Sequence, residues 1–331
     1  MSKLTVGMPL YNNANTLSRS IESVLNQTFQ DFEFYIIDNC STDDSYEIAK
    51  KFEKQDSRIK VYRNKCNLGA FDNFFKLYKM PKSEYFCPKS SDDFLLPSYF
   101  EKLLGLLEEN KDAVLAYSNA DNVTSELFSY DEESPLARGL KFAATFQYGH
   151  LGYGIRRSYL DDIIFYPQKL QSNDHAYFFN IALHGKIILF DEKLYNRTIT
   201  KLTKNSMGIL CKQDIFTNPN FMPNIRWMEC LLAHMRVIEK DRIIQDKEKY
   251  AKQVIEILIN RFGVLEYVKE YIALLNSYKK LKTAAISNKN LELMRRKHLI
   301  DEYKYYLMSN KEFRKQYNRS KLFWYIKNKE I

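Results

Sequence analysis

Over its first third the chain switches regularly between two hydrophobic periods. Leu4-Thr5-Val6-Gly7-Met8-Pro9 reads as a strand stopped by proline and followed by the polar loop Leu10-Tyr11-Asn12-Asn13. Leu17, Ile21, Val24 and Leu25 then recur at helical spacing from about Ala14 to Asn26. Phe32 to Ile37 is a near-continuous apolar run ending in Asp38, the pattern of a parallel strand buried on both faces. Ser41 and Asp44 stand at capping-box spacing before the next helix. Ile59-Lys60-Val61-Tyr62 is a third strand, Ala70 to Tyr78 a helix, and Tyr85 to Pro88 a fourth strand. Tyr99 to Leu107 is a helix and Ala113 to Tyr117 a fifth strand.

This alternation predicts an α/β fold, a mostly parallel sheet with helices on both faces. The loops around Asn12, Asp38 and Asn67 then share the sheet's carboxyl edge with Lys89-Ser90-Ser91-Asp92-Asp93-Phe94-Leu95-Leu96-Pro97. Ligands bind at that edge in open α/β sheets. A carboxylate pair there suits a divalent cation holding a diphosphate, because hard oxygen ligands bind Mg²⁺ or Mn²⁺ together with substrate phosphates. An Asp-Asp pair by itself is equally a solvated turn at a helix start.

The length, 331 residues, allows one large domain with an appendage or two domains, and 45% hydrophobic residues suffice for a core. Tyr 24 and Phe 22 against Gly 10 argue against a turn-rich β-sandwich. There is no apolar run of membrane-spanning length, and Met1-Ser2-Lys3 leads straight into a strand, which predicts a cytoplasmic protein. Five cysteines (Cys40, Cys66, Cys87, Cys211, Cys230) without a CxxC indicate neither a disulfide framework nor a zinc site. The net charge of +9 is uneven: residues 226–331 carry a surplus of +11 and the remainder sums to −2.

Three strings then bring in a resemblance: Thr5-Val6-Gly7-Met8-Pro9-Leu10-Tyr11-Asn12, Ser20-Ile21-Glu22-Ser23-Val24-Leu25-Asn26-Gln27-Thr28, and Ile36-Ile37-Asp38-Asn39-Cys40-Ser41-Thr42-Asp43-Asp44-Ser45. Together with Asn67-Leu68-Gly69, Asn73, and Ser91-Asp92-Asp93 with Pro97, they resemble glycosyltransferase family 2, the inverting nucleotide-sugar enzymes of Rossmann-like GT-A fold. The resemblance covers roughly residues 3 to 206. It implies that Asp38 accepts a hydrogen bond from the base of a nucleoside diphosphate, with Pro9, Tyr11 and Asn12 lining base and ribose, and Asn67 and Ser91 also at the nucleotide.

The family's acidic motif is altered here, Ser90 replacing its first Asp. In one register Asp92 is the metal ligand, Ser90 bonds the ribose and Asp93 is an extra carboxylate. In the other, Asp92 serves the ribose and Asp93 the metal. The offset of Pro97 favours the first. Either way the resemblance implies Mn²⁺ or Mg²⁺ as cofactor at Asp92 and Asp93.

Between Tyr117 and Lys141 the chain is polar and turn-rich and is read as a variable excursion. Tyr148 to Arg157 resembles the segment beneath the acceptor sugar, where His150 is either a substrate contact or structural. Gln171-Ser172-Asn173-Asp174 opens a helix with Ser172 as cap, and the resemblance makes Asp174 the catalytic base although Asn173 replaces the family's Glu. Lys186 to Phe190 is a strand. Leu194-Tyr195-Asn196-Arg197-Thr198 resembles the family's Tyr-Arg strand, so Arg197, Lys201 or Lys204 are candidates for neutralising the leaving diphosphate.

From Ile225 onward amphipathic helical patterns follow one another, and the end, Arg319 to Lys329, interleaves lysines with aromatics. That tail suits an anionic membrane surface or, equally, a solvated basic face packed on the body. No nucleic-acid motif is present. The expected division is 1–118 (nucleotide-sugar half), 119–222 (acceptor half) and 223–331 (basic helical region, for membrane-surface or oligomer contact).

These readings imply a metal-dependent inverting glycosyltransferase, cytoplasmic or on the inner face of the cytoplasmic membrane. It would move a sugar from a nucleotide-diphosphate donor, UDP-linked by preference, to a hydroxyl of a glycan or lipid-linked glycan acceptor in capsule, lipopolysaccharide or other surface polysaccharide synthesis. The rival reading is an inactive glycosyltransferase-like binding or scaffold protein, motivated by Ser90 and Asn173.

Overall fold

A computed structural model describes residues 2–80, 83–121, 126–146, 150–164, 173–198 and 233–262. The chain divides into two compact units, residues 1–164 with 180–200, and residues 165–179 with 201–331.

In the first unit the elements are β1 (Leu4–Leu10), α1 (Ala14–Leu25), β2 (Phe32–Asp38), α2 (Ser45–Gln55), β3 (Ile59–Arg63), α3 (Ala70–Tyr78), β4 (Tyr85–Pro88), β5 (Phe94–Leu95), α4 (Tyr99–Glu109) and β6 (Ala113–Ala120). They continue with α5 (Pro135–Thr145), a 3₁₀ turn (His150–Tyr153), β7 (Ile155–Arg157), α6 (Leu160–Ile163) and β8 (Lys186–Asn196); α7 (Asn173–His184) precedes β8 and spans the division between the units. The described part of the second unit adds helical residues 233–240 (α8) and α9 (Lys247–Phe262).

Eight strands form one sheet in the order β3-β2-β1-β4-β7-β6-β8-β5. Strands β3, β2, β1 and β4 are parallel neighbours, β6 pairs parallel with β8, and β7 and β5 run antiparallel to their partners. The side-chain alternation of β2 serves two cores. Phe34 and Ile36 join the large cluster with Leu17, Ile21 and Val24 of α1 and with α4, whereas Tyr35 and Ile37 join Leu77 of α3 and Phe86 on the other face. Fully buried apolar side chains contribute about 1.5–3 kcal/mol each, so the unbroken apolar run of β2 is explained by its two covered faces.

Gln27, in the string that resembles the family, has a structural task. Its amide donates to Leu96 O at 2.8 Å and accepts from the Phe100 N–H at 2.9 Å, fixing the start of α4 against the end of α1.

Several expectations need correction. The stretch from Tyr117 to Lys141 is not wholly loop: α5 begins at Pro135, with Ser134 as a cap that accepts from the Ala137 N–H. Ser41 and Asp44 form no capping box, because Asp44 caps α2 without a side-chain bond and the Ser41 hydroxyl accepts from the Asn12 N–H at 3.0 Å. The strands expected at Lys186–Phe190 and around Leu194 are one, β8, whose pairing with β6 shifts register beside Phe190, Lys193 and Tyr195. Strands β5 and β7, of two and three residues, have no counterpart in the hydrophobic pattern. Of the expected C-terminal helices, only those within 233–262 fall in the described residues; the Lys–aromatic tail lies outside them.

Candidate functional site: the carboxyl edge of the parallel strands

Strands β1, β2 and β3 end level at Leu10, Asp38 and Arg63, the register pairing Leu10 with Asp38 and Asp38 with Arg63, while β4 ends at Pro88, opposite Gly7. Because β4 continues to the edge strand β5, residues 89–93 must run along this same edge. Chain order therefore brings Pro9, Tyr11, Asn12, Asp38, Asn67, Ser91, Asp92 and Asp93 to one side of the sheet.

Two residues in the first loops hold a left-handed backbone, Asn12 with φ 49° and Cys40 with φ 63°. Asn is among the residues that tolerate this conformation. It lets the Asn12 side chain accept from the Thr42 N–H at 2.9 Å while Asn13 N–H donates to Ser45 Oγ at 2.8 Å, so the loop after β1 is bolted to the loop after β2. Tyr11 stays exposed at 43% of its surface.

Asp38 is fully buried. Its carboxylate accepts the Ser41 N–H at 3.2 Å and pairs with Arg63 Nε at 3.1 Å. Arg63 also donates to Ser41 O at 2.9 Å and stacks 4.4 Å over the Tyr46 ring. Beside it, Asn67 takes the Asn39 amide at 2.8 Å and the Gly69 N–H at 2.8 Å, and buried Asn64 links Asn39 with Asn73. Gly69, at φ 85°, supplies the backbone turn into α3 that a side chain would strain.

The acidic loop shows two different carboxylates. Asp93 points inward, where Tyr195 OH donates to Oδ2 at 2.5 Å and the Thr198 N–H to Oδ1 at 2.9 Å. Burial, with Asp92 beside it, pushes the Asp93 carboxyl up, against the pull of Tyr195, Thr198 and Lys89. Asp92 is partly exposed and meets the Ser90 hydroxyl. Ser91 is buried, receives the Asn13 amide, and so ties the acidic loop to the loop after β1.

Behind the pair sits a residue that sequence reasoning passed over. Lys89 is fully buried, and its ammonium donates to Ser20 Oγ at 2.9 Å and to the carbonyls of Ser90 and Asp93, both at 2.6 Å. Burial lowers its pKa to about 8, with Asp93 and Asp92 opposing. The signal available in sequence was a lysine directly after the apolar run Tyr85–Pro88. Asn13, Arg63 and Thr198 also act here and were not singled out for it.

The donor set fits a cation shared with a diphosphate better than an all-protein cage. Among the described residues no group of three or more His, Cys, Asp or Glu is arranged for a metal, and Asp93 already spends an oxygen on Tyr195 and one on Thr198. One accessible carboxylate plus substrate phosphates is a common mode for Mg²⁺.

The remaining candidates are less defined. Asp174 is the second residue of α7, in the second unit, and its side chain lies outside the described set, as does that of His150 in the 3₁₀ turn. Arg197 is exposed directly after β8, next to Thr198; Lys201 and Lys204 lie outside the described residues.

Comparison with known proteins bears on family and fold. Residues 5–164 match the family model described as Glycosyl transferase family 2. The chain is 30% identical over 146 residues to an Escherichia coli protein named UDP-Glc:alpha-D-GlcNAc-diphosphoundecaprenol beta-1,3-glucosyltransferase WfaP, covering 43% of this chain and 57% of that one. Its fold is shared by S. aureus TarS 1-349 in complex with UDP-GlcNAc, at TM-score 0.57 and 18% identity over 79% of this chain and 73% of that one. It is shared too by the mannosyltransferase PcManGT from Pyrobaculum calidifontis in complex with GDP-Man and Mn²⁺, at TM-score 0.51 and 11% identity over 85% and 83%. The alignments span about two fifths of the length of the first curated relatives, at 35% and 32% identity. The family match and the fold shared with the two solved structures agree: residues 5–164 form a glycosyltransferase family 2 domain within a GT-A fold.

Proposed function

We propose that the chain is an inverting, metal-dependent glycosyltransferase that moves a sugar from a UDP-sugar to a hydroxyl of a surface-glycan acceptor. The observation that carries this reading is the division of labour at the sheet edge: a buried Asp38 beside the loop after β1, and an accessible Asp92 beside an inward-turned Asp93. The named donors of two similar proteins, UDP-Glc for WfaP and UDP-GlcNAc bound to TarS, favour UDP.

In this reading Asp38 accepts the base N–H of the donor, while Pro9, Tyr11, Asn12, Asn67 and Ser91 enclose base and ribose. Asp92 holds the cation, the first of the two registers, because Asp93 is already engaged by Tyr195 and Thr198. A bound Mn²⁺ or Mg²⁺ supplies positive charge against the leaving diphosphate, and Arg197 or Lys201 adds charge-assisted bonds there. Asp174 removes the proton from the acceptor hydroxyl as its oxygen attacks the anomeric carbon from the face opposite the leaving group. His150 belongs to the acceptor side. Residues 1–118, 119–222 and 223–331 serve donor, acceptor and surface contact respectively.

Calorimetric titration of UDP, GDP and dTDP into the protein, with Mn²⁺ and then with excess chelator, tests the reading. Binding of one nucleotide that the chelator weakens is expected, with transfer lost and nucleotide binding kept in Asp174→Asn. Binding of none of the three would overturn the enzyme reading in favour of an inactive scaffold. For the tail, truncation from Ser320 is expected to lower recovery with membranes, and an unchanged distribution would discard that contact.

A further inference from the structure

We propose that Lys89 is a positioning residue for the cation site, its ammonium holding the Ser90–Asp93 turn in the shape that presents Asp92 outward. The inference rests on the reading of Asp92 as the cation ligand. A lysine with no exposed surface is costly, since an ammonium loses its hydration and recovers it only through well-made bonds. Met would fill the same space without that penalty. The three bonds are well made: Ser20 Oγ at 2.9 Å, Ser90 O at 2.6 Å and Asp93 O at 2.6 Å match the three donors of an ammonium.

Their targets define the role. None is a carboxylate oxygen, so Lys89 does not neutralise Asp92 or Asp93 by direct pairing; it grips the backbone on both sides of them. Ser90 O is held a second time by Ser20 Oγ at 3.0 Å, which anchors the turn to α1. The Asp93 side chain is fastened separately by Tyr195 and Thr198. With the backbone tied at Ser90 and Asp93 and the Asp93 carboxylate turned in, Asp92 is the carboxylate of the loop left partly exposed.

The test is Lys89→Met, read by Mn²⁺ titration in the presence of UDP, by UDP affinity under chelator, and by thermal unfolding. The expected result is an apparent Mn²⁺ affinity at least ten-fold weaker, metal-free UDP affinity within two-fold of wild type, and a melting temperature not below wild type. Ser20→Ala, which removes one acceptor of Lys89 and also the bond to Ser90 O, should weaken Mn²⁺ about three-fold alone and by less than that in the Lys89→Met background, where only the Ser90 O bond is left to lose. Wild-type Mn²⁺ affinity in Lys89→Met overturns the proposal, as does wild-type affinity in Ser20→Ala should Lys89→Met not fold. If the unaltered protein shows no Mn²⁺ dependence, the assignment of Asp92 falls and this inference with it.

Discussion

Tyr195 donates its hydroxyl to the Asp93 carboxylate across 2.5 Å, joining two residues 102 positions apart in the chain. The bond closes β8 onto the acidic loop in a buried setting where an unmet carboxylate oxygen is expensive. Tyr195→Phe removes the donor and keeps the ring stacked on Tyr153 at 5.4 Å. It is expected to lower stability by about 1–3 kcal/mol, measured by urea unfolding. An unchanged midpoint would mean that the Thr198 N–H suffices for Asp93.

Asp38→Asn tests base recognition. The amide keeps the shape of the side chain but turns one acceptor into a donor facing Arg63. Nucleotide affinity should fall roughly 5- to 150-fold, the equivalent of about 1–3 kcal/mol for a mismatched buried polar group, by calorimetry with UDP. Equal affinity in the variant would remove Asp38 from the nucleotide site.

The ion pair of Arg156 and Asp161, 3.1 Å apart with side chains 0% and 2% exposed, is a structural counterpart away from the acidic loop. Arg156 lies against the rings of Tyr78 and Phe86, 4.4 and 4.7 Å from their centres. Asp161→Ala leaves a buried guanidinium without its carboxylate and should cost about 3–5 kcal/mol, seen as a large drop in the denaturation midpoint. A loss under about 1 kcal/mol would mean that the charge is accommodated without the carboxylate.

Glu108 sets an acid limit. Lys111, Tyr85 and Lys3 all bond its carboxylate, which holds it well below the ordinary 4.5, at about 2. The folded state therefore binds that proton less readily than the unfolded state. Its stabilisation is present above pH about 4.5 and is lost as pH falls toward about 2. Stability measured from pH 5 to pH 2 should fall less steeply in Glu108→Gln than in wild type, and parallel curves would contradict the assignment.

What could be read in the sequence was set by length and period. Helix α3 and strand β4 begin and end where the pattern placed them, because each is a single uninterrupted run. The loops at Asn12, Asp38, Asn67 and Asp92 could be assigned to one edge because parallel strands oblige them to it. Strand β5 has two residues and β7 three, too few for any period to register, and both owe their existence to partners distant in sequence. Asp191-Glu192-Lys193 interrupts β8 with exposed charges, so one strand reads as two. Lys89 beside Asp92 and Asp93 looks like surface chemistry in a linear reading; only packing against Ser20 of α1 places it inside. Arg63 as the partner of Asp38 depends likewise on the register of β2 with β3.

The edge pairing of β5 with β8 also governs when the site comes into being. Strands β3, β2, β1 and β4 are drawn from residues 4–88 and can assemble as soon as that stretch has been synthesised. Asp93 acquires Tyr195 and Thr198 only once the chain has grown past residue 198. Contacts of such long separation form slowly, since loop closure must precede them. On the proposed reading, a nascent or truncated chain would hold the loops assigned to the nucleotide before its acidic loop is locked, so donor binding would mature ahead of cation binding during biosynthesis.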